Sequence, residues 1–266
     1  MTLRSRVAGV DFSGARDAGN NIWIAAGDVT PDGVRIETLD RAADLPGGAK
    51  EFRPAIDALV SRVAALPDHL VGFDFPFSLP IELIEQRSWT AFVRSFSKQH
   101  PEPESFRDHC RSLTGGKELK RKTDREARVP WCAYNLRLYR QTWTGIRHVL
   151  HPLVKNNHAR VIPMQTEQPG KPLIAEICPA SLLKREDLYK PYKGRGPELR
   201  ASRANIVREL TRRRLLCPIR GRMRQAILDN TGGDALDAVL SAIAAARIET
   251  ALPRDRFDRL ESRVYF

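Results

Sequence analysis

The chain has only four cysteines in 266 residues, and no two of them form a C-x-x-C pair. Cys110, Cys132, Cys178 and Cys217 are too dispersed for a zinc knuckle. So few thiols in so long a chain also exclude the disulfide framework of a small secreted domain. Histidine is scarce too, at six residues. The pair His148 and His151 in "HVLHP" has no third ligand nearby and reads as a partly exposed helix face rather than a metal site. No apolar run approaches the roughly 20 residues needed to span a bilayer. The opening "MTLRSRVAGVDF" passes straight into a strand pattern, without the apolar region and cleavage site of a signal peptide. A soluble, cytoplasmic protein without a membrane partner is expected. Aromatic residues make up 7% of the chain. They are thin within its basic stretches, so stacking on single-stranded bases is not indicated there.

What the sequence does hold is positive charge. Forty-four Lys and Arg against 32 Asp and Glu leave a formal net charge of +12. That balance favours a polyanionic partner, since basic side chains that neutralise phosphates release counterions. The charge is clustered. "GGKELKRKTDREAR" carries Lys117, Lys120, Arg121, Lys122, Arg125 and Arg128, and a longer arginine-rich block spans residues 193–224. Either block also reads as a plain solvated helix face, and Asp124 with Arg125 as a local ion pair.

The hydrophobic pattern predicts three short strands in "RVAGVDF", "IWIAAGDV" and "VRIETLD", joined tightly enough for an antiparallel meander. A helix follows, with Phe52, Ile56, Leu59, Val60, Val63 and Leu66 at helical spacing. "HLVGFDFPF" is a further buried strand and "PIELIEQRSWTAFVRSF" a helix. Residues 98–130 are polar and read as a loop or insertion. "AYNLRLYRQTWTGIRHVLHPL" is amphipathic helix and "PLIAEICPA" a strand. "GPELRASRANIVRELTRRRLL" and the alanine-rich "TGGDALDAVLSAIAAAR" close the series as helices. Strand–helix–strand connections favour parallel pairing. The expectation is one α/β domain over 1–266, its first three strands antiparallel and its later strands parallel to the first. A helical, basic insertion over about 80–165 lies within it.

This order puts Asp11, Asp74 and Glu176 at or near the C-terminal ends of three strands, the edge where open α/β sheets bind ligands. Asp234 and Asp237 open the last helix on one side, three residues apart. Singly, each has an ordinary explanation. Asp11 and Asp74 can end strands in turns, Glu176 can pair with an arginine, and Asp234 can cap a helix whose dipole favours Asp237. Together, convergent carboxylates repel by roughly 4 kcal/mol per pair at 4 Å and an effective dielectric of 20. Divalent cations with a preference for hard oxygen ligands, Mg²⁺ or Mn²⁺, would relieve that repulsion.

The segments "GVDFSGA", "VGFDFPFSLP", "IAEICPAS" and "GGDALDAVLSAIAAA" resemble, in order and spacing, domain of unknown function family 429, described as predicted nucleases with an RNase H-like fold. The four segments span nearly the whole chain. The resemblance implies a two-ion Mg²⁺ or Mn²⁺ centre that hydrolyses phosphodiester bonds of nucleic acid. Asp11 would be the bridging ligand, Asp74 the second, and Asp234 and Asp237 further ligands, with Glu176 matching the family's E-x-x-P feature. Lys117, Lys120, Arg121, Lys122 and Arg125 would contact phosphate. The chain departs from the pattern at Gly233, where many members carry His. Two other readings stay open: a non-catalytic nucleic-acid or protein-binding module on the same fold, and an ATP-dependent phosphotransferase of the sugar kinase/Hsp70 type.

Overall fold

The computed structural model describes residues 5–249 and 255–266. Met1–Arg4, where the reading of the N-terminus begins, lie outside the described residues. From the N-terminus run β1 (Arg6–Asp11), α1 (Ala18–Asn21), β2 (Trp23–Thr30), β3 (Gly33–Arg41), α2 (Phe52–Ala64) and β4 (Leu70–Phe73). A helical connection follows: α3 (Trp89–Gln99), α4 (Pro103–Leu113), α5 (Lys122–Glu126), α6 (Tyr139–Gly145) and α7 (His151–Lys155). A π-helical turn over Ile146–Leu150 joins the last two. The remainder comprises β5 (Arg160–Val161), β6 (Leu173–Ile177), α8 (Pro179–Arg185), α9 (Pro197–Arg212), α10 (Gly221–Asp229), α11 (Asp234–Ala246), α12 (Arg256–Glu261) and β7 (Val264–Tyr265).

The seven strands form one mixed sheet in the order β3-β2-β1-β4-β6-β5, with β7 on β6. β1, β2 and β3 are antiparallel neighbours, whereas β4 runs parallel to β1, and β6 parallel to β4. β5 pairs with the first part of β6 and β7 with its last part, so two short strands share one edge. The α/β class, the antiparallel opening and the later parallel strands agree with the sequence reading.

The central strands are apolar on both faces because helices cover both. Along β1, Ala8 and Val10 enter one core, shared with Ile56 and Leu59 of α2 and Phe92 and Phe96 of α3. Val7 enters the other, dominated by α11. In α11 every residue from Ala235 to Ala245 is buried. A helix apolar all round has no solvated side and sits inside the protein.

The expected helix over "PIELIEQRSWTAFVRSF" is shorter than predicted. Ile81–Leu83 make a single 3-10 turn, and α3 starts only at Trp89, where Ser88 Oγ accepts a hydrogen bond from Ala91 N. The polar stretch 98–130 contains α4, contrary to the loop reading. Glu102 and Ser105 exchange capping bonds at its start, and only Phe106 and Cys110 turn inward, too few apolar positions to reveal a period. The helical connection lies between β4 and β5, and β5 falls inside the expected insertion. His148 packs edge-on against Phe52 and Trp143, and burial lowers its pKa to about 4, so it is a packed neutral ring. Among the described residues, no helix is long and apolar enough to cross a membrane.

Candidate functional site

Two strands carry the same four-residue pattern, Gly9-Val10-Asp11-Phe12 and Gly72-Phe73-Asp74-Phe75. The glycines are direct partners across the parallel β1/β4 pair. Asp74 N donates to Val10 O at 3.1 Å, which carries the pairing past the end of β4 and sets the two aspartates side by side. Strand residues two apart share a face, so each aspartate stands on the same side as its glycine. On that side the missing side chains let α11 approach. A Cβ on Gly9 would come within 2.2 Å of both Ala238 O and Ala242 N, and one on Gly72 within 2.8 Å of Ser241 O. One turn before Ser241, the same face of α11 presents Asp237. Carboxylate oxygens of Asp11, Asp74 and Asp237 thereby lie within 4.8 Å of one another.

The setting is hostile to three charges. Asp11 and Asp237 are buried and Asp74 is half-buried. Burial, then the charges of Asp237 and Asp74, push the pKa of Asp11 well above the usual carboxylate range. Burial and Asp237 together raise Asp74 to about 7. Relief comes from a loop that the sequence reading did not select. Lys193 Nζ stands 2.6 Å from Asp237 Oδ2, and Tyr192 Oη donates to Asp237 Oδ1 at 2.6 Å. Burial disfavours the ammonium of Lys193, but Asp237 and Asp11 outweigh it and raise its pKa. Buried Arg203 fixes this loop, donating to Tyr192 O at 2.5 Å and to Leu228 O at 2.9 Å.

Asp234 and Glu176 are not part of the three-carboxylate group. Asp234 is the first residue of α11 rather than its cap, which is Gly233 in a left-handed conformation (φ 83°). Its carboxylate meets Asn230 Nδ2 at 3.3 Å and is close enough to help raise Asp11. The left-handed backbone at Gly233 disfavours a larger side chain, and Tyr192 and Lys193 fill the space beside it. Glu176 is engaged by Arg121, with Nη2 2.5 Å from Oε1 and Nη1 2.8 Å from Oε2, and it also accepts from Phe77 N.

That pairing corrects the reading of Arg121 as a phosphate contact. The residue is 1% exposed and commits its guanidinium to Glu176, Asp124 and the carbonyl of Glu261. Asp124 accordingly pairs with Arg121, not Arg125. Of the other basic candidates, Lys117 and Arg125 are exposed, Arg125 with one donor on Lys120 O at 2.6 Å, whereas Lys120 Nζ caps Val129 O and Lys122 Nζ pairs with Asp255 at 2.7 Å.

A cleft of about 730 Å³ opens over the three aspartates. Its wall includes Phe12, Phe75, Gln141, Cys178, Lys190 and Lys193, together with the exposed rings of Trp131 and Tyr189. Burial lifts the Cys178 thiol to about 11, which leaves it protonated and a poor nucleophile. Hard oxygen donors that converge and resist simultaneous ionisation suit a divalent cation such as Mg²⁺ or Mn²⁺. The chain matches no family model, no curated protein and no solved structure.

The repeated G-x-D-F pattern was a readable signal of the Asp11/Asp74 pair. Tyr192 gave none and Lys193 only its place at the start of a basic block, because they lie in an irregular loop with no period, and only tertiary folding brings them to α11.

Proposed function

We propose that the protein is a divalent-metal-dependent nuclease of RNase H-like architecture, allied to domain of unknown function family 429. One observation carries this reading: two adjacent parallel strands and the first turn of a buried helix deliver Asp11, Asp74 and Asp237 to one point. The strand order, with an antiparallel opening followed by parallel strands, is compatible with that architecture. Asp11, Asp74 and Asp237 would hold the cation, Mg²⁺ or Mn²⁺, with Asp234 next to them as the further ligand a second ion would require. A bound cation supplies Lewis-acid activation at a phosphodiester. Tyr192 keeps Asp237 oriented through its hydroxyl, and Gly9 and Gly72 set the distance from sheet to helix. Lys193 faces the cleft beside the carboxylates, where its ammonium would meet a phosphate oxygen. Lys117 and Arg125, exposed in the basic stretch, would add contacts along the backbone of the strand.

The test is hydrolysis of end-labelled single-stranded, duplex, hybrid and branched substrates with Mg²⁺ or Mn²⁺, with Asp11→Asn and Asp74→Asn beside the wild type. Metal-dependent cleavage by the wild type and its loss in both variants is the expected result. Cleavage that survives both substitutions excludes this centre.

The Lys193–Asp237 ion pair supports a second reading. An ammonium already neutralises part of the acidic group, as it would in a binding module that performs no chemistry. Salt-sensitive binding of nucleic acid with no cleavage of any of the four substrates would select it. Metal-dependent ATP turnover would instead point to phosphoryl transfer.

A further inference from the structure

Five large apolar side chains are substantially exposed among the described residues: Leu113, Trp131, Leu136, Tyr189 and Phe257. Two of these, Trp131 and Tyr189, line the cleft above the aspartates. They come from unrelated parts of the chain, the turn after α5 and the loop after α8. Trp131 is 37% and Tyr189 53% exposed, so each side chain in the cavity wall is also open to water. Each also carries a cation. The Arg137 guanidinium lies 5.3 Å from the centre of the Trp131 ring, and Lys184 Nζ lies 5.4 Å from that of Tyr189.

Each ring has a cation over one face, so a base stacked on the other face would lie next to that charge, as a flat base lies next to a phosphate in a nucleic-acid strand. Stacking of this kind is available only to a base freed from its partner, because in a duplex the base faces are covered by neighbouring pairs. The cleft volume lies within the roughly 300–1,000 Å³ of small-ligand sites, a size for individual nucleotides and not for a double helix. Counting aromatics within the basic stretches missed both rings. Trp131 follows the first stretch by a few residues and Tyr189 precedes the second, and folding sets them on one cavity.

We propose that Trp131 and Tyr189 are stacking platforms for unpaired bases, so that the substrate class is single-stranded or locally unpaired nucleic acid rather than intact duplex. The proposal rests on the nuclease reading for the position of the phosphate, but the stacking itself requires no metal. It is tested by fluorescence anisotropy in EDTA, where no metal-dependent hydrolysis occurs. The ligands are a labelled oligothymidylate, an abasic oligomer of the same length and a duplex of the same length. Oligothymidylate should bind roughly tenfold more tightly than the abasic strand, and more tightly than the duplex, with a quenching of tryptophan emission that Trp131→Phe removes. Trp131→Ala and Tyr189→Ala should each weaken oligothymidylate binding about tenfold with little change for the abasic strand. Trp131→Phe should retain most of the affinity. Both side chains are exposed, and circular-dichroism melts should show all three variants folded.

Equal binding of the base-bearing and abasic strands, wild-type affinity in the alanine variants, preference for duplex, or no binding at all would each overturn the proposal. A failed nuclease reading looks different: no hydrolysis with Mg²⁺ or Mn²⁺, while the dependence on bases persists. Hydrolysis that continues without any dependence on bases would sink the stacking platforms alone.

Discussion

Two buried acidic groups line one cleft and have been resolved differently. Around Arg121, two carboxylates share one guanidinium, whose donors are distributed over Asp124, Glu176 and the carbonyl of Glu261. Glu176 also accepts from Phe77 N, and Asp124 from Arg121 N. Around Asp237, three carboxylates face one ammonium, and Lys193 is itself 53% exposed on its side chain. The first group is closed by hydrogen bonds within the protein. The second holds three carboxylates that resist ionising together, and it opens onto solvent. Closed polar groups specify a fold, whereas an unbalanced one beside a cavity is where a ligand finishes the neutralisation.

The sharpest way to break the contrast is Arg121→Met. It leaves Asp124 and Glu176 buried without their cation, and should lower unfolding free energy by about 3–5 kcal/mol. Urea denaturation measures it, and a change below about 1 kcal/mol would contradict a structural role. Gly9→Ala comes next. Its methyl group meets two backbone atoms of α11 at 2.2 Å, neither able to rotate away. A loss of about 1–3 kcal/mol is expected, together with weaker metal binding, as α11 is displaced from Asp11.

The open group should respond in the opposite direction. The folded-state pKa of Asp74, near 7, lies above its ordinary value of 3.8. The folded protein therefore holds the Asp74 proton more tightly than the unfolded chain does. The associated stability is present below pH 3.8 and is lost as pH rises through about 7. Asp74→Asn removes that penalty. In EDTA, the variant should melt above the wild type at pH 8, and the gap should narrow at pH 5 and close only near pH 3.8. Mn²⁺ competes with the same proton, so it should raise the melting temperature of the wild type more at pH 8 than at pH 6, and that of Asp74→Asn little at either. Thermal melts at these pH values check both signs. The smallest effect is at the surface. Lys117→Ala should leave stability unchanged and reduce the salt slope of nucleic-acid binding by about 1, read from titrations at several salt concentrations.

Much of this arrangement could be read before folding. Asp11 and Asp74 end short apolar runs, and such runs become buried strands whose C-terminal edge collects ligands. The all-apolar course of α11 marks it as interior, so Asp237 in its first turn had to enter with it. The fate of Arg121 was not readable, since its neighbours in sequence are lysines and arginines of an apparent surface stretch. Its partner Glu176 lies 55 positions away, and only the return of the chain to β6 joins them. Lys193 was counted only as the start of a basic block, because the loop that brings it to Asp237 is placed by Arg203 from α9. β5 and β7 are two residues each, too short to show any alternation.

The paired glycines separate two properties of the centre that are usually entangled. What the centre binds is written in three side chains, each replaceable by an amide of nearly the same shape. How far apart those side chains stand is written in two side chains that do not exist. Chemistry here can drift one carboxylate at a time without moving the scaffold. The metric cannot drift at Gly9, because even the smallest side chain lands on the backbone of α11. A graft of this centre onto another sheet would accordingly have to copy an empty space before it copied a single ligand.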